Sequence, residues 1–187
     1  MELSLDFLGE LAYTLPAALL IYLLREAVKN RALALSEGKE EENPFISLDL
    51  TALAAAVFTQ VGWGSFLRYR QKHNFLSYGV AQLSFLVVIL LVVVYARLKG
   101  ISPESFTSFF LQTLISMAWA GFVCNLVPIP PFDAAYFYLQ PLLELRGFAT
   151  FMQIYKAFFS LLVIVLYPQQ HLYRFLEGRF FWSWAGL

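Results

Sequence analysis

The chain has 187 residues, of which 59% are hydrophobic and 14% charged, and its formal net charge is zero. A charged share so far below the usual quarter or so, together with 19 phenylalanines, excludes an ordinary water-soluble domain, and the neutral balance gives nucleic acid or an acidic partner nothing to grip. With Cys124 as its one cysteine, the chain can form neither an intrachain disulfide nor a thiolate metal cluster.

This composition predicts one all-α, polytopic integral membrane domain over residues 1–187. The first residues hold Glu2 and Asp6 but no Lys or Arg, unlike the basic start of a signal peptide. Residues 7–24, FLGELAYTLPAALLIYLL, read as a first span bent at Pro16. REAVKNRALALSEGKEEENP follows and is polar, and its acidic cluster at Glu40 to Glu42 reads as a solvated loop. Residues 50–67, LTALAAAVFTQVGWGSFL, are apolar but short, and carry Gln60, Gly62 and Gly64. Residues 77–96 form the cleanest span, and residues 106–127 form another. Residues 150–167 make a last span with Lys156 near its start, and the tail RFFWSWAGL suits a membrane–water interface.

The span over 106–127 runs into NLVPIPPFD, Asn125 to Asp133. Three prolines remove backbone donors, and an aspartate is costly at membrane depth. A broken backbone there is tolerated where it is buried in protein or lines a polar cavity. The stretch resembles the NLLPIPPLDG signature of site-2 proteases, which are intramembrane zinc metalloproteases, and the resemblance implies that Asp133 stands where that family has a zinc-ligating aspartate. NPFISLD at residues 43–49 resembles that family's NPLxHID, Gly62–Trp63 resembles the start of GWAKPVPV, and YGVAQL at residues 78–83 sits where AGPLSN opens a span. The resemblance covers roughly residues 10–145, in the same order and at similar spacing, and leaves residues 150–187 as an additional C-terminal span and tail. It implies a site-2-protease-like helical core in a bacterial cytoplasmic membrane.

The family's HExxH places two zinc-binding histidines on one helix face beside a water-activating glutamate. The matching stretch here is REAVK, which keeps Glu26 and puts Arg25 and Lys29 at the histidine positions. Ser47 stands for the histidine of NPLxHID, and the only histidines of the chain, His73 and His171, match no ligand position. Arginine stays protonated and offers no lone pair. We therefore expect no cofactor and no metal, no catalytic residue, and a Glu26→Gln change that leaves function unaltered. Two readings of the degenerate positions remain open. In one, Arg25 or Lys29 bridges to Asp133 and replaces the ion; in the other, both are juxtamembrane charges facing water.

Lys and Arg counts place the N-terminus outside whether 50–67 crosses or returns. Only a returning, re-entrant segment puts Arg25 and Asp133 on one side. The expected function is that of a proteolytically inactive scaffold or subunit of a membrane protein complex, lying in the lipid bilayer among other integral membrane proteins. The partner-binding groove would comprise Asn125, Pro128, Ile129, Pro130, Pro131 and Phe132. Small residues at Ala52, Ala54, Ala55, Ala56, Ala118, Ala120 and Gly121 would either add lipid-facing contact surfaces or pack within this chain, the second equally open for Ala118, Ala120 and Gly121. The alternatives are an active intramembrane metalloprotease with an atypical metal site, and an ion- or proton-path subunit built round Asp133.

Overall fold

The computed structural model describes residues 5–38, 43–63, 75–102, 104–135, 147–166 and 179–187. Among them every element is a helix: α1 Leu5–Glu37, α2 Pro44–Ser47, α3 Leu50–Thr59, α4 Phe75–Lys99, α5 Phe106–Asn125, α6 Phe148–Leu166 and α7 Arg179–Ala185. Gly9–Ser36, Ser77–Lys99 and Phe106–Asn125 are each long and apolar enough to cross a membrane, which marks an integral membrane protein.

α1, α4 and α5 form a three-helix bundle around Ala18, Ile21, Phe85, Ile89, Ile115 and Met117. The outward face of α4 carries exposed Leu83, Val87, Leu90, Leu91, Val94 and Leu98, the face that suits lipid. Close packing depends on small residues. A Cβ on Gly121 would lie 2.8 Å from the Phe85 ring. Helix direction follows from which rings meet. Tyr13 stacks on Phe109 near the start of α5, and Phe85 of α4 packs edge-on to Tyr22 and beneath the Arg25 guanidinium. α5 therefore runs parallel to α1. Gln82, one turn before Phe85, reaches Asp133 beside Arg25, so α4 runs antiparallel to α1. The end of α1 and the start of α4 thus lie at one end of the bundle, and the connection carrying α2 and α3 leaves and returns there.

That connection is built from caps. Asn43 accepts from the Phe45 amide, and Pro44 takes the first turn of α2, where its missing N–H is not needed. Asp49 accepts from the Thr51 and Ala52 amides and starts α3. Gln60 ends α3 with its backbone N–H on the Ala56 carbonyl and φ of 61°, a left-handed conformation uncommon outside glycine. Ten residues give α3 a length of about 15 Å, half the ~30 Å of a hydrocarbon core.

α6 packs chiefly against α3. α7 docks on the far end of α4, where Arg97 Nε donates to the Trp184 carbonyl and Phe181 sits edge-on to Trp119 at 5.3 Å. The aromatic tail is therefore pinned to the bundle by a cation that satisfies a carbonyl of its last turn.

Candidate functional site

α1 does not end where its polar stretch begins. It continues to Glu37, and Arg25, Glu26, Lys29 and Asn30 are buried against the rest of the chain. Arg25 is 0% exposed, and Glu26, Lys29 and Asp133 are each 2% exposed, which overturns the reading of Arg25 and Lys29 as water-facing charges. Arg25 Nη2 donates to Asp133 Oδ2, and Nη1 donates to Glu26 Oε1 at 2.6 Å. Lys29 Nζ donates to the other Glu26 oxygen, Oε2, as an i, i+3 pair. Glu26 is thus held between two cations, and Arg25 bridges two carboxylates. The Phe85 ring lies 5.9 Å from the guanidinium, a favourable place for a desolvated cation.

The turn after α5 presents Asp133 because helix geometry fails there in a controlled way. Asn125 Nδ2 donates to the Gly121 carbonyl at 2.8 Å and to the Gly62 carbonyl at 3.2 Å. Asn125 Oδ1 accepts from the Asp133 amide at 3.4 Å. One side chain therefore closes α5, fixes the Gly62–Trp63 segment and begins the aspartate's turn. Further turns follow, with Val127 N–H on Cys124 O at 3.0 Å, Ile129 N–H on Val127 O at 2.8 Å and Phe132 N–H on Ile129 O at 3.0 Å. These internal bonds, with the Tyr155 hydroxyl donating to Pro130 O at 2.9 Å, occupy carbonyls that the prolines leave outside a helix. Gly62 cannot be larger: a Cβ would stand 2.5 Å from Tyr22 Cζ.

The structure gathers the sequence-predicted residues unevenly. Arg25, Glu26, Lys29, Asn125, Phe132 and Asp133 are buried together with Ser47, whose hydroxyl accepts from Asn30 Nδ2 at 3.0 Å. Pro131 is buried and Pro130 half-buried, while Pro128 and Ile129 face outward. Phe132 is not on the open side of the groove; it packs edge-on to Trp63 and Phe159. Of the small residues, Ala52, Ala55, Ala56, Ala118, Ala120 and Gly121 take the in-chain alternative and face the core, and only Ala54 is exposed. His73 and His171 lie outside the described residues.

Residues that the sequence did not single out as site members complete the cluster. Lys156 of α6, 4% exposed, donates to Asp49 Oδ2 at 2.6 Å, and its field reaches Glu26 and Arg25. Burial pushes the Asp49 carboxyl up, but the Lys156 ammonium and the hydrogen bonds from Lys156, Thr51 and Ala52 outweigh it and hold the group below its ordinary value. Gln82 Nε2 adds a donor 3.4 Å from Asp133. Three cations (Arg25, Lys29 and Lys156) thus face three carboxylates (Glu26, Asp49 and Asp133). A lysine within an apolar span is the signal that pointed to Lys156.

A zinc ion does not fit this donor set. Both carboxylates nearest the degenerate positions are engaged by protein cations, and the two residues at the histidine positions donate rather than accept. No family model, curated protein or solved structure matches the chain.

Proposed function

We propose that this chain is a catalytically inactive, site-2-protease-like membrane protein that serves as a scaffold or subunit of a membrane protein complex in a bacterial cytoplasmic membrane. The observation that carries the reading is the Arg25–Asp133 ion pair. The resemblance makes Asp133 a metal ligand and Arg25 the site of another, and here one donates directly to the other. A guanidinium in place of an imidazole removes the Lewis acid and satisfies the carboxylate electrostatically. Water activation by Glu26 then has no metal to act with, and each of its oxygens already accepts from a protein cation.

Further support comes from convergence. REAVK, NPFISLD, Gly62–Trp63, the start of α4 and NLVPIPPFD are far apart in sequence and meet at one end of the bundle through Asn30–Ser47, Asn125–Gly62 and Gln82–Asp133. A ten-residue α3 between two ends on the same side of the bundle supports the re-entrant path for residues 50–67. A fold without catalytic histidines works by contact. The exposed rim at Leu126, Pro128 and Ile129 is where another protein's transmembrane helix meets the broken turn. The test is a photo-crosslinker at Ile129 in native membranes. One discrete protein partner is expected. Lipid adducts alone, or a homodimer, refute the scaffold reading, and proteolysis of a membrane substrate by the purified chain refutes inactivity.

A further inference from the structure

A groove of about 620 Å³ opens between the second half of α1 and the start of α4. Ala27, Val28, Ala32 and Leu35 of α1 and Val80 of α4 give it apolar walls. Arg31 is the one charged side chain among the described residues that line it. Positions 27, 28, 31, 32 and 35 follow the helical repeat and share one face of α1. Arg25, Glu26, Lys29 and Asn30 are buried on the other side, so the ion cluster and the groove use different faces of one helix. Depth follows from the exposed charges. Between Glu10 and Arg31, both exposed, α1 carries charge only at Arg25, Glu26 and Lys29, all buried. Those 21 residues of helix rise about 31 Å, close to the thickness of a hydrocarbon core. Glu10 and Arg31 therefore mark the two membrane edges. Arg31 stands at headgroup level, with Ala27 and Val28 on its hydrocarbon side.

We propose that this groove holds one anionic phospholipid, with its phosphate on Arg31 and the start of an acyl chain along Ala27, Val28 and Val80. A guanidinium fork matches two phosphate oxygens. Arg31 already interacts elsewhere in the chain, but its five N–H donors let it take a phosphate as well. Among the described residues lining the groove there is no carboxylate to receive the ammonium of a zwitterionic head, so a net negative head is favoured. Size argues against a protein occupant. A helix about 10 Å across fills 620 Å³ in roughly 8 Å of its length, about a turn and a half. The groove is too small to seat a transmembrane helix, and it suits a headgroup followed by the first part of one chain. A lipid there would tie the end of α1 to the start of α4, about 9 Å along the axis from Arg25. This site is separate from the broken turn and does not depend on the scaffold reading.

The experiment is native mass spectrometry of the full chain in detergent, titrated with phosphatidylglycerol or with phosphatidylcholine of the same chain length. The parent should retain one phosphatidylglycerol in preference to phosphatidylcholine. Arg31→Gln should weaken that retention about fivefold, the effect of one cation at a membrane surface, and Arg31→Lys should keep most of it. Ala32→Trp fills the groove while leaving the charge, and should abolish the adduct. Lys99→Gln removes an exposed cation at the opposite membrane edge and should change nothing. Equal retention of the two lipids by the parent, or parent-like binding by Arg31→Gln, overturns the proposal. An equal loss in Lys99→Gln overturns it too, because attraction to any surface cation would then explain the adduct. Millimolar inorganic phosphate should not displace the lipid; displacement would mean an anion site without a lipid groove. Arg31 is exposed, so its two variants carry the test alone if Ala32→Trp does not fold.

Discussion

Replacing Arg25 by methionine isolates the ion pair at the centre of the site. Methionine keeps much of the length and none of the charge. Arg25 is fully buried between two carboxylates, so its loss takes from Asp133 the guanidinium that donates to it and leaves the six-charge cluster with one uncompensated negative charge. Breaking a buried pair from one side costs roughly 3–5 kcal/mol. Asp133→Asn should cost less, because Arg25 keeps Glu26 at 2.6 Å and the asparagine still accepts a hydrogen bond. The double variant restores neutrality, with Lys29–Glu26 and Lys156–Asp49 untouched. Its cost should fall below the sum of the singles by a coupling energy of about 1–3 kcal/mol. The assay is reversible unfolding in mixed micelles for the parent, both singles and the double, with Arg31→Met as the exposed control. If Arg25→Met lies within ~0.5 kcal/mol of that control, or the singles simply add, the guanidinium does not stand in for an ion.

Glu26 accepts from two buried cations, so Glu26→Gln should lower stability by about 2–4 kcal/mol rather than pass unnoticed; the same unfolding assay reads it. Asp49→Ala should cost about 1 kcal/mol more than Asp49→Asn, because asparagine can still cap α3 while neither pairs with Lys156; comparison of the two midpoints checks this. Gly62→Ala should cost about 1–3 kcal/mol through the clash with the Tyr22 ring, and Tyr22→Leu in the same chain should recover part of it. Arg25→His with Lys29→His should raise the zinc content of the chain to about one ion, measured beside the parent by metal content after gel filtration; no gain over the parent would argue against the vacated-site reading.

Part of this architecture was legible because it is local. The spans over 77–96 and 106–127 follow from hydropathy: Phe75–Lys99 runs two or three residues past its limits, and Phe106–Asn125 starts on its limit and stops two residues short. The asparagine, proline and aspartate of NPFISLD read as capping chemistry once α2 and α3 are seen. What escaped the sequence is what depends on distant partners. REAVK by itself leaves Arg25 either bridged to Asp133 or facing water; burial by α4 and by a turn 108 residues away decides for the bridge. Alanine runs in α3 and α5 are small on the page whichever way they face, and only packing against Tyr22, Phe85 and Trp63 decides that they face inward. Lys156 stood out as a lone cation, but nothing in its own helix named Asp49 as its partner.

The buried charges also answer a problem specific to the bilayer. Between helices in lipid, apolar side chains gain little by leaving hydrocarbon for protein, so they position neighbours weakly. The six charged groups come from four separate places: α1, the α2–α3 link, the turn after α5, and α6. The Arg25–Asp133 and Lys156–Asp49 pairs fix distances between elements that apolar contacts would let slide. As a source of stability the network is inferior to well-packed hydrophobic residues of the same volume. As a source of register it has no apolar equivalent, because misplacement by one helical turn strands a charge in hydrocarbon. If Arg25, Glu26, Lys29, Asp133, Asp49 and Lys156 were all made apolar, the chain would still insert, but the turn at Pro128–Asp133 would lose its fixed place against α1 and α6. On the scaffold reading proposed above, a surface whose shape is no longer fixed would not select one transmembrane partner, so these charges would serve specificity of assembly more than stability.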